Sequence, residues 1–61
     1  MFLTINEFGD CSQVNELDDS IKEAFSEGIM DIYRWSLETS NYERLISCDD
    51  GVLVWEEINK I

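Results

Sequence analysis

The stretch VNELDDSIKEAFSEG, residues 14–28, carries apolar side chains at steps of three and four residues. This spacing predicts an amphipathic helix, because it puts the apolar side chains on one helical face. Ser12 is the expected N-cap, and Gly28 is expected just after the last turn, where the left-handed conformation favours glycine. Residues 29–37 are rich in β-branched and aromatic side chains and favour a strand. A helix that continues through Gly28 is the alternative.

Strands are also predicted on both sides of this segment. FLTINEF, residues 2–8, contains β-branched residues in an alternating pattern that predicts a first strand. NYERLIS and VLVWEEI, residues 41–47 and 52–58, flank an Asp-Gly pair and predict a hairpin. The expected architecture is α+β: one amphipathic helix packs on a three- to four-stranded, mostly antiparallel sheet, in the order β-α-β-β-β.

The hairpin register decides which side chains meet the helix. A three-residue loop that pairs Cys48 with Val52 and Arg44 with Glu56 is preferred, since a two-residue turn would shift the pairing and mix the faces. The face expected under the helix then carries Tyr42, Ile46, Val52, Val54 and Ile58. The opposite face is expected to form an exposed apolar interface that consists of Tyr33, Trp35, Leu45, Leu53 and Trp55. Such a patch predicts a homodimer or a partner interface, and partial cover by neighbouring residues is the alternative.

Charge is the most unusual property of this chain, which is expected to form a single small acidic domain over residues 1–61. Fourteen Asp or Glu stand against four Lys or Arg, with no His, for a formal net charge of −10. Small domains usually carry a net charge of magnitude about 2–8. Direct binding to nucleic acid or to an anionic membrane is disfavoured, because both are negative. A basic protein surface is the expected partner, and a role in solubility alone is the alternative.

Acidic residues form a row on the predicted helix, within an arc of about 80° and nearly opposite the apolar face. Their separation along the axis is roughly 4.5 to 6 Å, which is close to the step between phosphates on a nucleic acid strand. Like charges at this spacing destabilise a helix, which favours a binding role over a merely solvated face. The predicted partner-binding residues are Glu16, Asp19, Glu23 and Glu27, with Asp49, Asp50, Glu56 and Glu57 as a second acidic edge.

No catalytic, cofactor or metal motif is present, so we expect a non-enzymatic protein without cofactors. Cys11 and Cys48 are expected as free thiols, with a disulfide between them as the alternative. The aspartates near turns lack the spacing of a calcium loop. The N-terminal residues show neither the basic region nor the long apolar run of a signal peptide, and no apolar run reaches the ~20 residues of a membrane span. A cytoplasmic location is therefore expected.

Together these features predict an intracellular acidic protein that blocks a basic surface, on a nucleic-acid-binding protein or a defence enzyme. It would act as an inhibitor or nucleic acid mimic. Small acidic chains of this type are typical of phage-encoded inhibitors, an analogy of size and charge. The alternative is a structural or assembly module that dimerises or docks through the aromatic sheet face. Binding by the inhibitor should weaken steeply with salt, whereas the assembly module should tolerate salt.

Overall fold

A computed structural model describes residues 1–58 and shows one helix packed on a five-stranded sheet. The elements are β1 (Phe2–Asn6), β2 (Cys11–Val14), α1 (Asp19–Ser26), β3 (Met30–Ser36), β4 (Asn41–Asp49) and β5 (Val52–Glu57). The strand order is β2-β1-β3-β4-β5, and every neighbouring pair is antiparallel. The α+β class is confirmed. The predicted strand number and element order are wrong, because β2 adds a strand before the helix.

The additional strand arises from a turn that the sequence pattern did not reveal. The Oδ1 atom of Asn6 accepts hydrogen bonds from the backbone N–H groups of Phe8 and Asp10, at 2.9 and 3.0 Å. The backbone N–H of Asn6 also donates to the carbonyl of Asp10, at 3.0 Å. The chain therefore folds back, and Ser12 pairs with Thr4. Ser12 is a strand residue and not the predicted N-cap.

Helix α1 is eight residues long and shorter than the predicted 14–28. Its N-cap is Asp18, whose side chain accepts a hydrogen bond from the N–H of Ile21 at 2.9 Å. Its C-cap is Glu27, and Gly28, which has a φ of 79°, follows the cap. The N–H groups of Gly28 and the next residue bond to carbonyls of the last turn, at 3.0 and 3.1 Å, in a Schellman arrangement. The predicted end of the helix is confirmed, and so is the strand that follows it.

The β4–β5 hairpin turns through two residues. Asp50 and Gly51 have φ angles of 50° and 79°, as a type I′ turn requires at both central positions. Asp49 consequently pairs with Val52, and the predicted pairing of Cys48 with Val52 is wrong.

A β-bulge on β4 compensates for this short turn. The register shifts by one residue between Leu45 and Ser47, so that an extra residue, Ile46, is inserted in β4. Beyond the bulge Arg44 lies opposite Glu56, as predicted. The bulge explains why the preferred three-residue loop was wrong near the turn but gave the correct pairing farther away.

The core lies between α1 and the middle of the sheet. Thr4 pairs with Ile32, and Leu45 pairs with Trp55. Tyr33 lies opposite Arg44, so Ile32 lies beside Leu45. These residues therefore form one row across β1, β3, β4 and β5. Ile32, Leu45 and Thr4 are only 0, 2 and 5% exposed, and α1 contacts β3 and β4. We call this side of the sheet the covered face.

The predicted assignment of the hairpin faces is reversed. Leu45, Leu53 and Trp55 lie on the covered face, whereas Tyr33 and Trp35 lie on the opposite one. The alternation of residues along a hairpin shows which side chains share a face. Which of the two faces is buried depends on the side on which the helix packs. We call the uncovered side the open face; its apolar residues are Leu3, Ile5, Tyr33, Trp35, Tyr42, Ile46, Val52, Val54 and Ile58.

Both cysteines are free thiols, which confirms the preferred prediction. Cys11 lies on β2 and Cys48 on β4, with β1 and β3 between them. Three strand spacings amount to roughly 14 Å, whereas a disulfide requires Cα atoms within about 7 Å. Over residues 1–58, no helix has the length and apolar character that crossing a bilayer would require.

Candidate protein-binding surface

Three of the four acidic residues predicted on the helix lie along one side of it. Asp19 lies in the first turn of α1, Glu23 lies one turn later, and Glu27 is the C-cap residue. Residues four apart stand above one another on a helix, roughly 6 Å apart. Glu16 precedes the N-cap Asp18 and lies in a bend, so it does not belong to this row. We call Asp19, Glu23 and Glu27 the α1 row.

The second predicted acidic edge is divided between two places. Asp49 and Asp50 lie at the β4–β5 turn, whereas Glu56 and Glu57 lie at the other end of β5. The length of β5 separates the two pairs by roughly 17 Å. Glu56 is on the open face, and Glu57 is on the covered face, where it accepts a hydrogen bond from Asn41 at 3.4 Å. The four carboxylates therefore cannot grip one small basic site together.

Most of the acidic side chains form no ion pair with Lys or Arg among residues 1–58. Arg34 forms an ion pair with Glu43 at 2.8 Å, and Arg44 forms one with Glu56 at 3.6 Å. These pairs include two of the 14 acidic residues, all of which fall within residues 1–58. Glu43 is half-buried, and the other acidic side chains are exposed. The surface is therefore available to cations from outside the molecule.

Arg34 has a structural environment that the sequence did not indicate. Its guanidinium carbon lies 4.3 Å from the centre of the Trp55 ring. The Phe2 ring stacks on Trp55, with centroids 6.1 Å apart and an angle of 18° between the planes. Arg34 thus joins an ion pair, a cation–π contact and an aromatic stack at the border of the core.

Replacement of Arg34 with glutamine should lower the free energy of unfolding by about 1 kcal/mol, because a cation–π contact and a partly exposed ion pair each contribute less than ~1 kcal/mol. The melting temperature should fall by about 4–8 °C in a domain this small. Thermal unfolding followed by circular dichroism measures this shift. Arg44→Gln is the matched control, because its ion pair is longer and more exposed. Equal shifts in both variants would show that the aromatic contacts of Arg34 add nothing.

The open face exposes large apolar side chains. Trp35 and Ile46 are each 46% exposed, and Val54 is 43% exposed. The rings of Trp35 and Tyr42 meet edge to face, with centroids 5.1 Å apart and a 75° angle between them. Contiguous apolar patches on small proteins mark interaction surfaces. Two of the five residues predicted for an apolar interface, Tyr33 and Trp35, belong to this face.

A shallow apolar depression lies within the open face. Its volume is about 240 Å³, and Leu3, Ile5, Tyr33, Tyr42 and Ile58 line it. Sequence reasoning missed Leu3 and Ile5 as surface residues. Alternation along β1 could have placed them together on one side of the strand. It could not have shown that this side would stay uncovered.

The side chains on these surfaces are carboxylates and apolar groups, which can bind another molecule through charge and through apolar contact. The depression is smaller than the ~300–1,000 Å³ of typical small-molecule pockets. Among residues 1–58, no group of three or more Cys, Asp or Glu side chains is arranged to hold a metal ion. Comparison of the chain with protein-family models, with curated proteins and with solved structures finds no match.

Proposed function

We propose that the protein is a non-enzymatic acidic binding protein that blocks a basic surface of a partner protein. The observation that supports this most is the uncompensated charge: the net charge is −10, and two of 14 acidic residues lie in ion pairs within residues 1–58. Self-repulsion destabilises a compact domain. Solubility is ordinarily reached with a net charge of magnitude about 2–8, so solubility alone does not account for this excess.

A nucleic-acid-binding protein is the partner class that this charge fits best, because its Arg and Lys side chains are arranged to hold phosphates. The α1 row offers three carboxylates at a regular separation of roughly 6 Å. Carboxylates accept the paired N–H bonds with which arginine also holds phosphate. In this proposal the protein imitates a short piece of nucleic acid backbone. It would act in the cytoplasm as an inhibitor, in the manner of phage proteins that block host or defence enzymes.

The proposal is tested by affinity capture from an extract of the host cells in which the protein acts. Wild-type protein should retain a basic, nucleic-acid-binding protein at 50 mM salt, and that retention should fall at least tenfold at 500 mM. The triple variant Asp19→Asn, Glu23→Gln, Glu27→Gln should retain much less of the same protein, because it removes the α1 row.

A second triple variant, Glu7→Gln, Asp10→Asn, Glu38→Gln, is the matched control, because it removes the same charge from exposed positions outside α1. Loss that is confined to the α1 variant would support the α1 row as the contact. Equal loss in both variants would support a role for net charge without the row. If wild type retains only neutral or acidic proteins, or if retention is unaffected by salt, the proposed function is wrong.

A structural or assembly module is the second candidate, and the exposed apolar open face favours it. Such a module would dimerise or dock through Tyr33 and Trp35. Its association would tolerate salt, because burial of apolar surface does not depend on screening. A dimer in sedimentation experiments that persists at 500 mM salt would favour this candidate over the acidic inhibitor.

A further inference from the structure

We propose that the open face is where the basic partner docks, and that the partner inserts one apolar side chain into the depression beside Asp31. This inference rests on the proposed function only for the basic character of the partner protein. It assigns that partner to the open face and not to the α1 row, which lies on the helix side of the sheet. The open face makes a requirement of the partner that the α1 row does not make. The partner segment must carry an apolar side chain as well as basic side chains, and this can be tested.

The depression has the form of a socket for a side chain. Its walls are the aliphatic groups of Leu3, Ile5 and Ile58 and the rings of Tyr33 and Tyr42. All five residues are partly exposed, so a side chain can enter without rearrangement of the sheet. An apolar side chain that fills such a depression is shielded from water, and side chains of this kind supply most of the energy at protein interfaces.

Charge on the open face selects the kind of segment that fits. Asp31 pairs with Ile5 across β1 and β3, so an exposed carboxylate lies directly beside the depression. Neither ion pair found in residues 1–58 includes Asp31. Glu56, two residues before Ile58, lies on the other side and is ion-paired with Arg44 at 3.6 Å, so Asp31 is the carboxylate beside the depression that a basic side chain would meet. An apolar segment that carries arginine or lysine would therefore be drawn to this face.

A second copy of the chain is a poorer occupant. Each copy carries a formal charge of −10, so two copies repel each other as they approach. Like charges across an interface oppose association. A basic partner removes this repulsion and compensates the carboxylates.

Strand geometry gives the spacing that the partner needs. Asp31 and Tyr33 are two residues apart on β3, which corresponds to roughly 7 Å. An extended partner segment reaches both places when an apolar residue and a basic residue are separated by one intervening position. In a helical partner the same reach corresponds to residues three or four apart, at roughly 6 Å.

Peptides of defined composition test this inference. The first is a nine-residue peptide with a central leucine, an arginine two positions to each side, and serine or glycine elsewhere. The second replaces the leucine with serine, and the third replaces both arginines with glutamate. Each is titrated into ¹⁵N-labelled protein, and the backbone amide shifts are followed by NMR. The first peptide should shift amides of β1, β3 and β4 around the depression in a saturable manner.

The serine peptide should bind at least tenfold more weakly, because burial of a leucine side chain changes affinity by that factor or more, and the glutamate peptide should not bind. Asp31→Asn should weaken binding of the leucine peptide about two- to fivefold. Asp10→Asn is the matched control: it removes the same charge from the exposed β1–β2 turn and should change the affinity much less.

Four results would overturn the inference. Equal affinity for the leucine and serine peptides, or shifts concentrated on α1, would leave a protein that binds basic segments elsewhere, and the proposed function would survive. No binding by any peptide would remove the docking site, and the capture experiment would then decide the proposed function independently. Amide shifts on the open face that depend on protein concentration without peptide would show that a second copy occupies it.

Discussion

Replacement of Ile32 with alanine is expected to leave much of the protein unfolded at 25 °C. Ile32 is fully buried, at the centre of the row that crosses the covered face. Removal of a buried isoleucine side chain down to alanine costs ~2–5 kcal/mol, because apolar contacts are lost and a cavity remains. A domain of this size rarely has more than ~3–5 kcal/mol of stability. The far-ultraviolet circular dichroism of the variant should therefore approach that of the urea-unfolded chain.

Ile46→Ala is the matched control for this prediction. It removes the same atoms, but Ile46 is 46% exposed on the open face, so its unfolding midpoint in urea should change little. Ile32→Val should lie between the two, with a loss of about 0.5–1.5 kcal/mol. If Ile32→Ala and Ile46→Ala destabilise the protein equally, the open face must be packed in solution, and the assignment of the two faces is wrong.

The second large effect is expected at the β4–β5 turn, where Gly51→Val should destabilise the protein by about 2 kcal/mol. Gly51 has a φ of 79°, a conformation that costs L-residues roughly 1–2 kcal/mol and β-branched ones more. A Cβ atom added at this position would meet no atom within 4 Å. The loss would therefore arise from the backbone conformation and not from a steric clash with neighbouring residues.

Asp50→Asn is the control at this turn. Asp50 also has a positive φ, of 50°, and asparagine adopts the left-handed region at least as readily as aspartate. Its urea midpoint should stay at or slightly above that of wild type. A Gly51→Val variant that is as stable as wild type would contradict the positive φ at Gly51 that the type I′ turn requires.

Local signals in the sequence were sufficient for several elements. The Asp-Gly pair between apolar runs indicated the hairpin, and Gly28 indicated the end of the helix. Residues 29–37 indicated a strand through their β-branched and aromatic content. Each of these signals depends on backbone preferences within a few residues, which is why they can be read without knowledge of the rest of the fold.

The wrong predictions concern elements whose position or register is determined by distant contacts or by a single side chain. Val14 fits a helical row in the sequence, yet Asn6 turns the chain so that β2 pairs with β1. Asp18 and not Ser12 caps the helix, and this moves Glu16 out of the acidic row. A single extra residue, Ile46, restores the register that a two-residue turn would otherwise shift. Periodicity alone contains none of this information.

The candidate surfaces were also predicted only in part from the sequence. The acidic character of the protein follows from composition, and the α1 row keeps three of its four predicted members. An exposed apolar face of the sheet was predicted, but most of the residues assigned to it were not the ones that form it. Leu45, Leu53 and Trp55 lie on the covered face, and Leu3 and Ile5 take their place on the open face. Which face stays uncovered depends on the side to which α1 crosses, and this is a property of the whole fold.

The two tryptophans lie on opposite faces of one thin sheet. Trp55 lies on the covered face against Arg34, while Trp35 is 46% exposed on the open face. Replacement of either one with phenylalanine leaves a single indole whose emission comes from one side of the molecule. The Trp55 emission would change when the core unfolds, and the Trp35 emission would change when a ligand binds to the open face. The protein thus contains two independent optical probes, and unfolding can be told apart from binding without an added dye.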